Sequence, residues 1–216
     1  MANSSRDNIL AGIKSALTHL PEQMPKKPDM VSPIYADEDE KDPAIRFAGN
    51  FTARKGSFYY CESLEDLQEQ ISAFLKERKF RNIHVWEKEL AEELSAAGIS
   101  FHNHDRNFAE TDCGITLCEC LITRTGSILV SSRQLAGRRL TIFPPVHLVV
   151  ASAGQLVPDI KDGMAFLQKK YGKNLPSMIS LITGASRTAD IEKTLVLGAH
   201  GPKELVLFLV DDVPSS

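Results

Sequence analysis

The sequence predicts an α/β domain built on a largely parallel sheet covered by helices, with a β-hairpin insertion. Three observations predict it. Short apolar runs rich in β-branched and aromatic residues alternate with helical patterns of roughly ten residues or more, the arrangement that joins parallel strands. A chain of 216 residues with 43% hydrophobic content can bury one substantial core. In the second half, two β-rich runs flank Arg124-Thr125-Gly126, which is close to a hairpin signal.

Residues 1–20 read as an amphipathic N-terminal helix, because Ile9, Leu10, Ile13, Ala16, Leu17 and Leu20 recur at helical spacing. Residues 21–57 are proline- and charge-rich and predict an extended arm, so the helix docks either on its own core or on a neighbouring subunit as a homo-oligomer contact. The α/β domain itself is expected over 58–213. Its first strand falls at 58–61. Ser63-Leu64-Glu65-Asp66 resembles a capped helix start, and the helix runs to Arg78 with Leu64, Leu67, Ile71, Phe74 and Leu75 on one face. A strand at 82–86, a helix at 88–97 stopped by Gly98, and a strand at 99–102 follow. The hairpin runs are 115–123 and 127–132. Apolar runs at 140–143 and 146–151 surround Pro144-Pro145, which cannot donate to a sheet ladder. His147 lies inside the second run, where a hydrogen-bonded core histidine is the expected reading. A helix at 158–171, a strand at 178–182 and a last strand at 204–210 complete the chain.

A net charge of −3 with both signs interspersed gives no footprint for nucleic acid. No apolar run reaches the ~20 residues of a membrane span, and the N-terminus lacks the pattern of a secretory signal, so a cytoplasmic protein is expected. Cys61, Cys113, Cys118 and Cys120 read as reduced thiols. The spacing of Cys113, Cys118 and Cys120 raises the question of a metal but matches neither ferredoxin pattern, so no metal site and no cofactor are assigned to this chain. It also carries no Gly-x-Gly-x-x-Gly fingerprint.

The stretch densest in chemistry is Thr183-Gly184-Ala185-Ser186-Arg187-Thr188-Ala189-Asp190-Ile191-Glu192, followed by Leu197-Gly198-Ala199-His200-Gly201-Pro202. Gly184 takes a positive φ at no steric cost, Ser186 and Thr188 cap backbone amides, and Arg187 offers a fork of donors to carboxylate or phosphate. Asp190, Glu192 and His200 are candidates for proton transfer. The apolar run before it places the cluster where a buried strand would end, the position at which open α/β sheets bind ligands. The same residues also read more plainly, as a capped short helix with Arg187 tying a loop to the surface.

This stretch, together with Gly114-Ile115-Thr116, Thr125-Gly126-Ser127 and Pro144-Pro145-Val146-His147-Leu148, resembles the LUD-domain family of lactate-utilization proteins, strongly over the C-terminal half and loosely over the N-terminal half. The resemblance implies the fold shared by ribose-phosphate isomerases, glucosamine-phosphate deaminases, CoA transferases and formyltetrahydrofolate cyclo-ligase. It implies participation in oxidation of L-lactate to pyruvate, with iron–sulfur clusters on partner subunits. Fold analogy alone leaves two alternatives, a non-catalytic assembly or regulatory subunit and a stand-alone isomerase or transferase acting on a phosphorylated or CoA-linked substrate. Under the family reading, Thr125, Gly126 and Ser127 join Thr183, Gly184, Ser186, Arg187 and Thr188 in a cradle for a small anionic ligand, with His200, Asp190 or Glu192 as acid or base. Arg124 and the Cys118-Glu119-Cys120 triplet depart from the family's usual residues beside this turn.

Overall fold

The computed structural model describes residues 5–18, 42–191, 194–197 and 200–211, with 188–191 and 194–197 as backbone. The chain divides into two units, Met1–Glu38 and Asp39–Ser216. In the first, helix α1 (Ser5–Thr18) carries the expected apolar stripe, and Ile9, Leu10, Ile13 and Leu17 are exposed.

The second unit opens with a helix inside the segment expected to be an extended arm. Helix α2 (Pro43–Ala53) starts because the Asp42 carboxylate accepts from the N–H groups of Ala44 and Ile45, at 2.8 and 3.2 Å, and because proline is compatible with a first helical turn. Phe47 and Phe51, one helical turn apart, are wholly buried and stack at 5.5 Å. Residues 21–41 lie outside the described residues.

Strand β1 (Ser57–Cys61) leads to helix α3 (Leu64–Arg78), whose cap Ser63 accepts from the Asp66 N–H at 3.1 Å. Strand β2 (Ile83–Val85), helix α4 (Lys88–Ala96) and strand β3 (Cys113–Thr116) follow. Next come β4 (Cys120–Ile122), β5 (Ser127–Ser131), β6 (Val146–Ser152), β7 (Leu156–Val157) and helix α5 (Ile160–Tyr171). Strand β8 (Ile179–Ile182), the antiparallel pair β9 (Arg187–Ile191) and β10 (Thr194–Leu197), and β11 (Glu204–Val210) end the described chain.

Two sheets carry the core among the described residues. The larger has the order β1-β11-β6-β3-β2 with every pair parallel, and the smaller has the order β7-β4-β5-β8. Parallel strands are covered on both faces and therefore read as unbroken apolar runs, which is why Glu204–Val210 sits near the middle. Its Val206, Phe208 and Val210 pack with α3 and α4 on one face; Leu205, Leu207 and Leu209 pack with Phe47, Phe51, Leu121, Ile128 and Val130 on the other. Beyond the smaller sheet, Leu167 of α5 covers Cys120, Ile122 and Leu129.

Two expected strands, 115–123 and 99–102, take a different form. The 115–123 run is two strands in different sheets, since the chain leaves the parallel sheet at Thr116 and enters the smaller one at Cys120; apolar periodicity does not say which sheet a strand joins. The hairpin across 124–126 forms, but β4 and β5 are the inner strands of a four-stranded sheet. Residues 99–102 supply only an isolated bridge between His102 and His84. Residues 140–143 form a turn, in which Leu140 packs closely on Gly114; a Cβ there would lie 2.9 Å from Leu140 Cγ.

Candidate functional site

The two loops singled out by sequence meet. Because β8 pairs antiparallel with β5, with Ile182 opposite Ile128, Thr183 falls beside Ser127, and their hydroxyls share a hydrogen bond of 2.7 Å. Both loops lie against the C-terminal end of α2. Asn50 Nδ2 donates to the carbonyl oxygens of Thr123 and Arg124, at 2.9 and 3.2 Å, and Arg54 Nε donates to that of Thr125 at 2.9 Å. Arg187 Nη2 donates to the Arg54 carbonyl oxygen at 3.0 Å.

The glycines serve this meeting. Gly126 has φ +59°, and a Cβ on it would lie 2.4 Å from Phe51 N and 2.5 Å from Asn50 C. Gly184 has φ +76°, and its Cβ would lie 2.6 Å from the Arg54 carbonyl oxygen. At both positions the close neighbour is the backbone at the C-terminal end of α2.

Between the loops and the helix end lies a hollow of about 320 Å³ lined by Ala53, Arg54, Thr183, Ala185 and Arg187. Among the described residues each guanidinium gives one donor to a neighbouring carbonyl, and a guanidinium carries five N–H donors in all. Thr125 Oγ1 is buried and unpartnered among the described residues. The described side chains that line this hollow bring two guanidinium groups and one hydroxyl together, donors whose geometry matches a carboxylate or phosphate.

The remaining candidate residues fall elsewhere. The Ser186 N–H donates to the Pro202 carbonyl oxygen at 2.9 Å, so that amide faces the turn before β11. Thr188 and Asp190 lie on the backbone of β9, and their side chains, like Glu192 altogether, are outside the described residues. His200 is exposed and lines a different hollow with Arg138 and Arg139. The 183–187 loop follows β8, an edge strand of the smaller sheet with Leu181 exposed; the sequence reading placed it after a buried strand. The carboxyl ends of the parallel strands instead border a separate hollow of about 330 Å³, where Leu117, Ser152 and Val210 face Glu89, Glu92 and Glu93. Sequence reasoning missed Arg54 and Asn50, which carry no local motif and sit in the stretch read as an arm.

The residues that depart from the family pattern have structural partners. Arg124 forms a two-pronged ion pair with Asp159, Nε to Oδ2 at 3.0 Å and Nη2 to Oδ1 at 2.8 Å, and Asp159 caps α5. The guanidinium hydrogen bond holds the Asp159 carboxyl below its ordinary range. A carboxyl depressed in the folded state contributes stability above its unfolded pKa of about 3.9, which is lost as pH falls through the folded value. Arg124→Ala is therefore expected to lose about 1–2 kcal/mol at pH 7 and less near pH 3, read by urea denaturation; equal losses at both pH values would contradict the ionic origin.

Glu119 is buried and accepts from Ser131 Oγ at 2.5 Å, Tyr171 OH at 2.8 Å and Lys170 Nζ at 2.9 Å. Burial pushes its carboxyl up, but the three donors together outweigh burial and leave it below the ordinary range. The four cysteines are free and buried. Cys113, Cys118 and Cys120 belong to three different core clusters, and burial pushes all three thiols up, that of Cys120 to about 12. Among the described residues, no group of three or more His, Cys, Asp or Glu side chains is arranged to hold a metal ion. Nor is any helix among them long and apolar enough to cross a membrane. His147 is a core residue whose Nε2 lies 2.9 Å from Thr116 Oγ1, and burial lowers its pKa to about 3, so it is neutral.

The family model described as LUD domain matches residues 45–210. Lactate utilization protein C 1 of Bacillus mycoides is 31% identical over 120 residues, which cover 54% of this chain and 51% of that protein. Lactate utilization protein C of Geobacillus thermodenitrificans is 28% identical over 132 residues, 60% of this chain and 51% of the relative. That of Halalkalibacterium halodurans is 26% identical over 163 residues, 69% and 71%. The chain spans about half the length of the first two of these relatives. A crystal structure of a DUF162 family protein from Deinococcus radiodurans superposes with a TM-score of 0.59 over 78% of this chain and 96% of that one. At 21% identity, this last likeness shows the fold alone.

Proposed function

The chain belongs to the LUD-domain family, and on that premise we propose that it is a lactate-utilization subunit whose Arg54–Arg187 cradle holds a small carboxylate. In this reading the carboxylate is that of L-lactate or pyruvate; when lactate becomes pyruvate, iron–sulfur partner proteins take the two electrons and the two protons pass to solvent. The observation that carries it is the convergence of two guanidinium groups and Thr183 on one small hollow, fixed from below by two glycine turns. Arginine matches a carboxylate with paired donors, and a site of this size admits a three-carbon acid. The relatives are named for lactate utilization, which supports this reading. This chain's part is to bind and orient; the redox apparatus is assigned to partners.

A second reading, a docking subunit, is favoured by the exposed stripe Ile9, Leu10, Ile13 and Leu17 on α1. One titration separates the two. Isothermal titration of pyruvate and lactate is expected to show saturable binding that weakens about tenfold or more in Arg187→Ala and in Arg54→Ala, with unchanged far-UV circular dichroism. Deletion of residues 1–20 is expected to leave that affinity unchanged. Absence of binding to the intact chain would leave the docking reading in possession.

A further inference from the structure

We propose that a second site, the hollow of about 700 Å³ bordered by Phe108, Arg138, Arg139, Ile142, Phe143 and His200, binds a nucleoside phosphate. It is larger than the Arg54–Arg187 cradle and different in character. One wall is aromatic and apolar. Phe108 and Phe143 lie with ring centroids 4.7 Å apart, and Phe143 and Ile142 are about half exposed, at 53% and 48%, on the turn before β6. Large apolar side chains left facing water beside a concave surface mark a binding region.

The other wall is cationic. The Arg139 guanidinium lies 4.3 Å from the Phe108 ring centroid and 5.6 Å from that of Trp86, within cation–π distance of both. Its acidic neighbour, Asp105, stands 3.7 Å away with both side chains more than half exposed, a pairing that a phosphate can readily replace. Arg138 Nη2 donates to Ser177 Oγ at 2.7 Å, which fixes its position while leaving other donors, and His200 closes the rim. None of the described lining residues is acidic.

A flat base stacked on the exposed ring of Phe143, which Phe108 backs from the core, would place its phosphate toward Arg138, Arg139 and His200. Base stacking on aromatic side chains tolerates any base, so the geometry selects a heteroaromatic phosphate and leaves the base open. A polynucleotide fits less well, because it needs a basic track longer than two arginines and the chain is acidic overall. This site does not depend on the lactate reading.

Trp86 is the only tryptophan in the sequence and lies under Arg139, so its fluorescence reports on the site. Titrating the full chain with ADP, excited at the red edge to avoid nucleotide absorbance, is expected to change that fluorescence saturably. ADP is expected to bind about tenfold or more tighter than inorganic phosphate or adenosine alone, because each supplies only one half of the contact. Arg138→Gln and His200→Ala, both at exposed positions, are each expected to weaken ADP binding severalfold with circular dichroism unchanged, whereas Arg187→Ala leaves it unaltered. No saturation at millimolar ADP would overturn the proposal. So would unchanged affinity in both rim variants, equal binding of phosphate alone, or loss of binding in Arg187→Ala, which would assign ADP to the cradle.

Discussion

Gly126→Ala is expected to destabilise the domain by about 4 kcal/mol and to abolish carboxylate binding at the cradle. Two effects add. A side chain at φ +59° carries strain of about 1–2 kcal/mol, and the new methyl would lie 2.4 Å from Phe51 N, within the backbone of α2, where overpacking costs about 1–3 kcal/mol more. The clash pushes the helix end that carries Arg54 away from Thr125, so binding is lost with stability. Gly98 is the control, since it has φ +71° but nothing within 4 Å of an added Cβ. Gly98→Ala is expected to show the strain alone. Chemical denaturation of both variants measures the difference, and equal losses would remove the contact with α2 as the reason for glycine at 126.

Glu119→Ala is expected to cost about 3 kcal/mol, or roughly 6–12 °C in Tm for a chain of this size. The carboxylate is the common acceptor for Ser131, Tyr171 and Lys170 and ties β5 to the end of α5. Removing it leaves two hydroxyls without their acceptor and opens a cavity beneath a lysine whose head is half exposed. Glu119→Gln keeps an acceptor but loses the charge, so a smaller loss is expected. The sign with pH follows from the depressed carboxyl: its contribution is complete above the unfolded pKa of about 4.3 and disappears as pH falls through the folded value. The gap between wild type and Glu119→Gln should therefore narrow in acid. Melting curves at pH 7 and pH 3.5 check this, and a wild-type Tm for Glu119→Ala at pH 7 would show that the network holds nothing.

The sheet strands were legible where burial on both faces writes itself into the sequence. Residues 204–210 and 146–152 are unbroken apolar runs, and both sit centrally in the parallel sheet. Ser63 announced α3 by its chemistry as a cap. Helix α2 was misread because a proline-rich stretch suggests an arm, whereas Asp42-Pro43 is itself a helix start and Phe47 and Phe51 supply the buried face. Both glycine loops of the candidate site were legible as turns. What they press against is separated from them in sequence by more than seventy residues at Gly126 and by more than a hundred at Gly184, and no local pattern encodes that contact. Arg54 stayed invisible for the same reason: nothing around it looks like an anion site until β8 pairs with β5. His200 stood close in sequence to Arg187, yet it faces Arg138 and Arg139 across another hollow.

The measurement that tests the central claim most directly is nuclear magnetic resonance of the labelled chain titrated with pyruvate, following backbone amides and the arginine Nε–H groups. The expected result is saturable shifts concentrated at Arg54, Thr125–Ser127 and Thr183–Arg187, with both arginine Nε–H signals moving together. Shifts confined to Arg138, Arg139 and His200, or no saturable shift at these loops, would contradict the assignment of the carboxylate to the Arg54–Arg187 cradle.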